Sequence, residues 1–177
     1  SSDLCSGPTA NRSPTNLTTT TPITDMQAII KADTLTNWLN TITVLVDECK
    51  VRLEDDGLKV RAVDPANVAM CDTELFASAF ESYQSDGGVI GINLNKLTET
   101  LSLAGSDDLV ELTLNEETRK MDIRVGGLHR SLALIDPDSV RQEPDIPDLD
   151  LEVDVRVNSD GISMGLKAAD MVTDHVK

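Results

Sequence analysis

From Met26 onward the spacing of apolar residues alternates between two periods, and each change of period predicts a new element. Gln27-Ala28-Ile29-Ile30-Lys31-Ala32 opens as a strand, after which Asp33 or Thr34 caps a helix. The apolar positions of that helix, Leu35, Trp38, Leu39, Ile42, Leu45 and Val46, follow the i, i+3, i+4, i+7 rule of a single buried face. Thr36, Asn37, Asn40, Thr41 and Thr43 take the other face. The period then drops to two. Cys49, Val51 and Leu53 alternate with Lys50, Arg52 and Glu54, Asp55-Asp56-Gly57 forms a turn, and Leu58, Val60 and Ala62 alternate with Lys59 and Arg61. That is a hairpin pattern. Asp64-Pro65 interrupts it, and Val68 to Leu75 resumes as a strand.

The order then recurs. Val89 to Ile92 is a short strand, Asn93 a cap, and Leu94, Leu97, Leu101 and Ala104 mark a helix ending at Gly105. Strands follow at Leu109 to Leu114, Met121 to Val125 and Leu128 to Leu134, separated by turns at Asn115-Glu116-Glu117-Thr118 and Gly126-Gly127. A third copy begins with a strand at Leu151 to Val157 and a helix from Ser159 or Asp160 through Val176. The three caps fall near 33, 93 and 159, spacings of 60 and 66 residues, so one strand-helix-strands unit is repeated.

Between the second and third copies, residues 136–150 carry Pro137, Pro144 and Pro147 among Asp136, Asp138, Glu143, Asp145, Asp148 and Asp150. Proline stiffens such a segment and like charges extend it, so it reads as a connector between domains at 26–135 and 151–177. Ser1 to Asp25 holds 14 Ser, Thr or Pro residues in 25 and no hydrophobic periodicity, so it is expected to be a disordered extension ahead of a natural start at Met26. With no strands after the third helix to cover its apolar side, the second domain is expected to be incomplete at Lys177.

Composition narrows the picture. The 177 residues are 40% hydrophobic but only 2% aromatic, so the core must be built from Val, Leu, Ile and Met. No run of about 18 apolar residues occurs and the start lacks a basic-then-apolar signal, which points to a soluble, cytoplasmic protein. With 31 Asp plus Glu against 15 Lys plus Arg, the formal charge is −16. Such acidity argues against phosphate affinity. It equally fits a surface adapted to very salty cytoplasm, where a net charge far from zero keeps a protein soluble.

Candidate chemistry is sparse. Cys5, Cys49, Cys71, His129 and His175 lack metal-ligand spacing, so no metal and no cofactor is predicted. Cys49 and Cys71 are read as two buried free thiols. Asp136-x-Asp138 begins like a calcium loop, but Arg141 stands where Gly is needed and Pro147 where Glu is needed. Asp64 before Pro65 is read as a turn residue rather than a catalytic carboxylate. Gly87, Gly88 and Gly91 form no phosphate cradle. His175 near Asp170 and Asp174 reads as a solvated helix face, and His129 has no identifiable partner, so no nucleophilic triad can be assembled.

Leu45-Val46-Asp47-Glu48-Cys49, then Leu58-Lys59-Val60-Arg61-Ala62-Val63-Asp64-Pro65-Ala66-Asn67-Val68, closely resembles the DNA polymerase sliding clamps of the proliferating cell nuclear antigen family. So do Gly91-Ile92-Asn93-Leu94, Leu132-Ala133-Leu134-Ile135-Asp136 and Ile146-Pro147, and the acidic balance is most like a clamp from a salt-loving archaeon. The resemblance implies an α+β DNA-clamp fold with antiparallel sheets outside and helices on the inner face. It further implies a non-enzymatic processivity factor, a homotrimeric ring around double-stranded DNA, placed by a replication factor C type loader. DNA polymerase and other replication or repair proteins would be tethered through a short peptide motif.

Position by position, the resemblance assigns the partner pocket to Val63, Asn67, Val68, Ile146 and Pro147, with a remaining wall from a C-terminal segment beyond this chain. The subunit contact falls to the edge strand bearing Leu128, Leu132 and Leu134, whose mate would also lie beyond Lys177, so the chain as it stands is expected to be monomeric or irregularly associated. Weak DNA contacts fall to Lys96, offset by Glu99, and Lys167, because the first helix carries no Lys or Arg. The alternatives are a clamp relative used in checkpoint or repair, and an acidic metal-dependent hydrolase using Asp64 and the connector carboxylates.

Overall fold

The computed structural model describes residues 25–115, 117–145 and 155–172 and divides the chain into two units, one running to Pro144 and one beginning at Asp145. In the first unit, β1 (Asp25–Lys31) leads directly into α1 (Ala32–Thr43), followed by β2 (Glu48–Glu54), β3 (Gly57–Val63) and β4 (Met70–Phe76). Then come β5 (Ser82–Ser85), β6 (Gly88–Asn93), α2 (Leu94–Leu101), β7 (Leu109–Asn115), β8 (Lys120–Val125) and β9 (Leu128–Ala133). Several element ends differ from the sequence expectation.

The first helix starts and stops earlier than its apolar pattern. Lys31 is its N-cap and gives no side-chain cap, while Asp33 sits in the first turn, where a carboxylate favours the positive end of the helix dipole. Neither Asp33 nor Thr34 is the cap. The helix ends at Thr43 because Ile42-Thr43-Val44 is a β-branched run that helices tolerate poorly, leaving Leu45 and Val46 half-buried in the following loop. Leu35, Trp38, Leu39 and Ile42 are buried, each fully buried side chain of this size stabilising by about 1.5–3 kcal/mol. Asn93 caps α2 as its sequence indicates, Oδ1 accepting from the Lys96 N–H at 3.0 Å, but the helix closes at Leu101.

The nine strands form two antiparallel sheets with the orders β5-β1-β7-β8-β9 and β4-β3-β2-β6. The first strand of each repeat therefore joins the other repeat's sheet: β1 pairs with β7, and β6 pairs with β2. Met26, Ile30, Leu112 and Ile123 from one sheet, Val51, Leu53, Val60 and Ile92 from the other, and the apolar faces of both helices belong to one core cluster. The turn before β3 demands glycine: Gly57 has φ +144°, and a Cβ there would lie 2.2 Å from the Leu75 carbonyl oxygen. β5 has no apolar alternation to announce it. Tyr83 and Ser85 are its half-buried pair, and the Tyr83 hydroxyl donates to the carbonyls of Glu54 and Gly57 at 2.8 and 3.1 Å.

The first half of the connector belongs to the first unit. The Ile135 N–H donates to the Gly91 carbonyl, Val140 is buried, and Arg52 is paired with Glu143. In the second unit α3 (Ser159–Asp170) is capped by Asn158, whose Oδ1 accepts from the Asp160 N–H at 2.9 Å, so neither Ser159 nor Asp160 is the cap. Val155 to Val157 is not a strand, and 151–154 lie outside the described residues, as do 1–24 and 173–177. No helix among the described residues is long and apolar enough to cross a membrane.

Candidate partner-binding site

The loop after β3 is organised by one carboxylate. Asp64 Oδ1 accepts from the N–H groups of Val68 and Ala69, both at 2.8 Å, and Oδ2 accepts from Ala66 at 3.1 Å. These donors, led by Ala69 and helped by nearby Arg141, hold the Asp64 carboxyl below the usual carboxylate range. A carboxylate so engaged is a loop organiser, not a proton carrier. The loop carries Asn67 at φ +58°, a left-handed position that Asn tolerates, and leaves Val68 84% exposed.

Asn67 is the link to the connector: Arg141 Nη2 donates to its Oδ1 at 2.5 Å. Val63, half-buried at the end of β3, lines a surface hollow of about 330 Å³ together with Val44, Val46, Pro65 and Arg141. Val44, also in its lining, is 82% exposed. Val44, Leu45, Val46, Val63 and Pro65 give the hollow an apolar lining, with Thr43, Asp47 and Arg141 as its polar groups. Of the five residues expected here, Val63 ends β3, and Asn67 and Val68 lie on the loop that follows it. Ile146 and Pro147 lie outside the described residues.

Sequence reasoning missed Arg141, Val44 and Val46. Val46 continues the apolar spacing of the first helix and becomes a site residue because that helix stops at Thr43, and Val44, its C-cap, belongs to no apolar pattern. Arg141 registered only as the residue that spoils a calcium loop, since its partner is 74 positions away.

Leu128, Leu132 and Leu134 are half-buried and pack against the core, so they hold β9 on the sheet rather than face outward. The alternation of β9 turns His129, Ser131 and Ala133 to solvent. β9 ends its sheet, paired with β8 alone among the described residues. Arg130 reaches from β9 to α2, donating to Thr100 Oγ1 at 3.1 Å and pairing with Glu99 at 3.4 Å. Lys96 is exposed on α2, which packs beside α1, and α1 itself has no Lys or Arg. Lys167 is exposed on α3.

Of the carboxylates of the hydrolase alternative, Asp64 is held by backbone N–H groups, Asp136 by Asp138 N–H and Arg119, and Glu143 by Arg52. Among the described residues, no three His, Cys, Asp or Glu side chains gather as a metal-ligand set. His129 Nε2 stands 3.6 Å from Asp122, which also accepts from Ser131, an exposed cluster on β8 and β9. Cys49 is buried, whereas Cys71 is only half-buried because β4 is an edge strand, which corrects the reading of two buried thiols.

The N-terminal domain profile of proliferating cell nuclear antigen matches residues 26–126. The chain is 58% identical over 150 residues to a DNA polymerase sliding clamp of Natronomonas pharaonis, an alignment covering 85% of this chain and 61% of that protein. It is 56% identical over 149 residues to the DNA polymerase sliding clamp of Haloarcula marismortui, covering 84% and 60%. The chain thus spans about 61% of the length of the curated relatives it matches. Among solved structures, that of the C-terminal region of FEN-1 bound to A. fulgidus PCNA superposes with TM-score 0.80 at 31% identity, over 84% of this chain and 61% of the other. The two sheets with exchanged first strands, the paired helices and the profile match over more than half the chain agree, and the chain belongs to the proliferating cell nuclear antigen family.

Proposed function

We propose that this chain works as a sliding clamp subunit, a DNA polymerase processivity factor that performs no catalysis. The observation that carries the reading is the 58% identity to a DNA polymerase sliding clamp, on a fold whose sheets and helices follow the same family. In this reading three copies close head to tail into a ring around double-stranded DNA in the cytoplasm of an archaeal cell, opened and placed by a replication factor C type loader. The ring acts through effective concentration. A polymerase that releases DNA while still linked to the ring recaptures its template before diffusing away.

The partner's aliphatic and aromatic side chains enter the hollow beside Val63, Asn67 and Val68, and the family resemblance adds Ile146 and Pro147 of the connector to the residues that bind it. The ring closes through the backbone edge of β9, with Leu128, Leu132 and Leu134 anchoring that strand from inside. Lys96 and Lys167 make at most weak phosphate contacts. In molar salt the Debye length is about 3 Å, so screened cations add little. Topological linkage requires no affinity for DNA, which reconciles the acidic surface with a DNA-encircling role.

The test is capture of the chain by an immobilised peptide bearing a glutamine, an aliphatic residue and two adjacent aromatics, against a control with both aromatics changed to Ala. Selective retention is expected. Equal retention by both peptides, or metal-dependent hydrolytic turnover by the chain, overturns the reading.

A further inference from the structure

We propose that a second hollow, between the connector and the outer face of the β4-β3-β2-β6 sheet, receives an acidic side chain of the bound partner peptide. The proposal rests on the clamp reading above and adds a charged anchor to its apolar one. Lys50, Arg61 and Arg141 line this hollow among Val46, Val63 and Val140, with Glu48 as its one acidic lining residue. Three cations in the lining of one small concavity stand out in a chain of net charge −16.

Their bonding leaves them unfilled. Lys50 Nζ donates to the amide oxygen of Gln142 at 3.3 Å, and Arg141 donates to the amide oxygen of Asn67. Among the described residues neither has a carboxylate within ion-pair distance, whereas Arg52, Lys59, Arg119, Arg124 and Arg130 all do. Arg61 pairs with Asp72 at 3.3 Å through Nη2, yet its Nε is buried without an acceptor. A buried N–H without an acceptor is costly, and a carboxylate entering beside these cations supplies charge-assisted bonds that neutral amide oxygens do not.

The geometry favours a peptide over a nucleic acid. The cations are interleaved with three valines and bordered by Glu48, which suits one carboxylate flanked by apolar chain and repels a row of phosphates. The hollow also shares Val46, Val63 and Arg141 with the larger one beside Val44 and Pro65, so one peptide can occupy both.

The experiment measures, by calorimetric titration of the whole chain at about 0.1 M salt, three peptides with the same glutamine and double-aromatic anchor: one with neutral flanks, one with a Glu pair before the anchor and one with it after. One acidic peptide should bind about fivefold tighter than the neutral one, the factor that about 1 kcal/mol produces. In Lys50→Met that ratio should fall to about one, and in Lys50→Glu it should invert. Lys50 is a surface side chain, and unchanged thermal unfolding of the variants verifies that they fold. Equal affinity of all three peptides, or an acidic preference that survives both substitutions, overturns the charged anchor while leaving the clamp reading intact. Failure of every peptide to bind overturns both. A duplex oligonucleotide that binds and is lost in Lys50→Glu, with no acidic-peptide preference, assigns the hollow to phosphate and also overturns the proposal.

Discussion

Gly91 on β6 and Ile135 at the head of the connector touch backbone to backbone: the Ile135 N–H donates to the Gly91 carbonyl at 2.8 Å, and a Cβ at Gly91 would fall 2.6 Å from the Ile135 oxygen. The same Cβ would lie 3.0 Å from Val140 Cγ2. Glycine in a strand marks such a close approach. Gly91→Ala should therefore lift the connector off the sheet and destabilise the first unit by about 1–3 kcal/mol, as overpacking does. Thermal denaturation checks the cost, and faster amide exchange at Ile135 and Val140 locates it. An unchanged melting temperature removes the connector's first half from the packed unit.

Asp64 organises its loop only while ionised. Its carboxyl is held below the ordinary value by the Ala69, Val68 and Ala66 N–H groups, so its contribution is complete above the unfolded value of about 3.9 and is lost as pH falls through the lower folded value. Hydrogen exchange at Val68 and Ala69 should stay slow at pH 5 and accelerate only in stronger acid. Asp64→Ala should show the fast rate at every pH and weaken peptide capture, since Asn67 loses its left-handed setting.

Cys49 follows the opposite sign. Burial, reinforced by Cys71 and Glu143, pushes its thiol from the ordinary 9.0 up to about 12. The unfolded chain ionises first, so stability declines as pH rises from 9.0 toward 12. Denaturant titrations at pH 8 and 10.5 should show this loss in the wild type and a smaller one in Cys49→Ala. At neutral pH a maleimide should label the half-buried Cys71 while Cys49 reacts only on unfolding.

Ile146→Asp should abolish capture by the double-aromatic peptide and leave the melting temperature unchanged. The substitution places a charge where the proposed apolar wall meets the peptide. Undiminished affinity removes Ile146 from the pocket.

Within the first unit, the elements that sequence makes visible are those with a long regular period. The β2-β3 hairpin and α2 with its Asn93 cap follow directly from alternation and capping chemistry. α1 is legible as a helix but not in its extent, because apolar spacing continues through Leu45 and Val46 after β-branched residues have ended the helix. β5 is invisible because a four-residue edge strand with one apolar side chain among Ser, Gln and Ser has no pattern to show. Of the site, the Asp64 to Val68 loop could be recognised because its residues are contiguous. Arg141 and Lys50 could not, because their surroundings come from segments about 70 to 90 positions apart.

By itself, then, the order of residues determined the periodic elements, the repeat and the family, since each of these is written in local spacing and contiguous motifs. Only the tertiary structure decided that β1 and β6 exchange sheets, that Leu128, Leu132 and Leu134 point inward, and that the connector's first half is strapped over β2 and β6. The physical reason is that strand pairing and ion pairing act between groups adjacent in space. Alternation along one strand tells which face is apolar, but not which neighbour will satisfy its backbone or its charges.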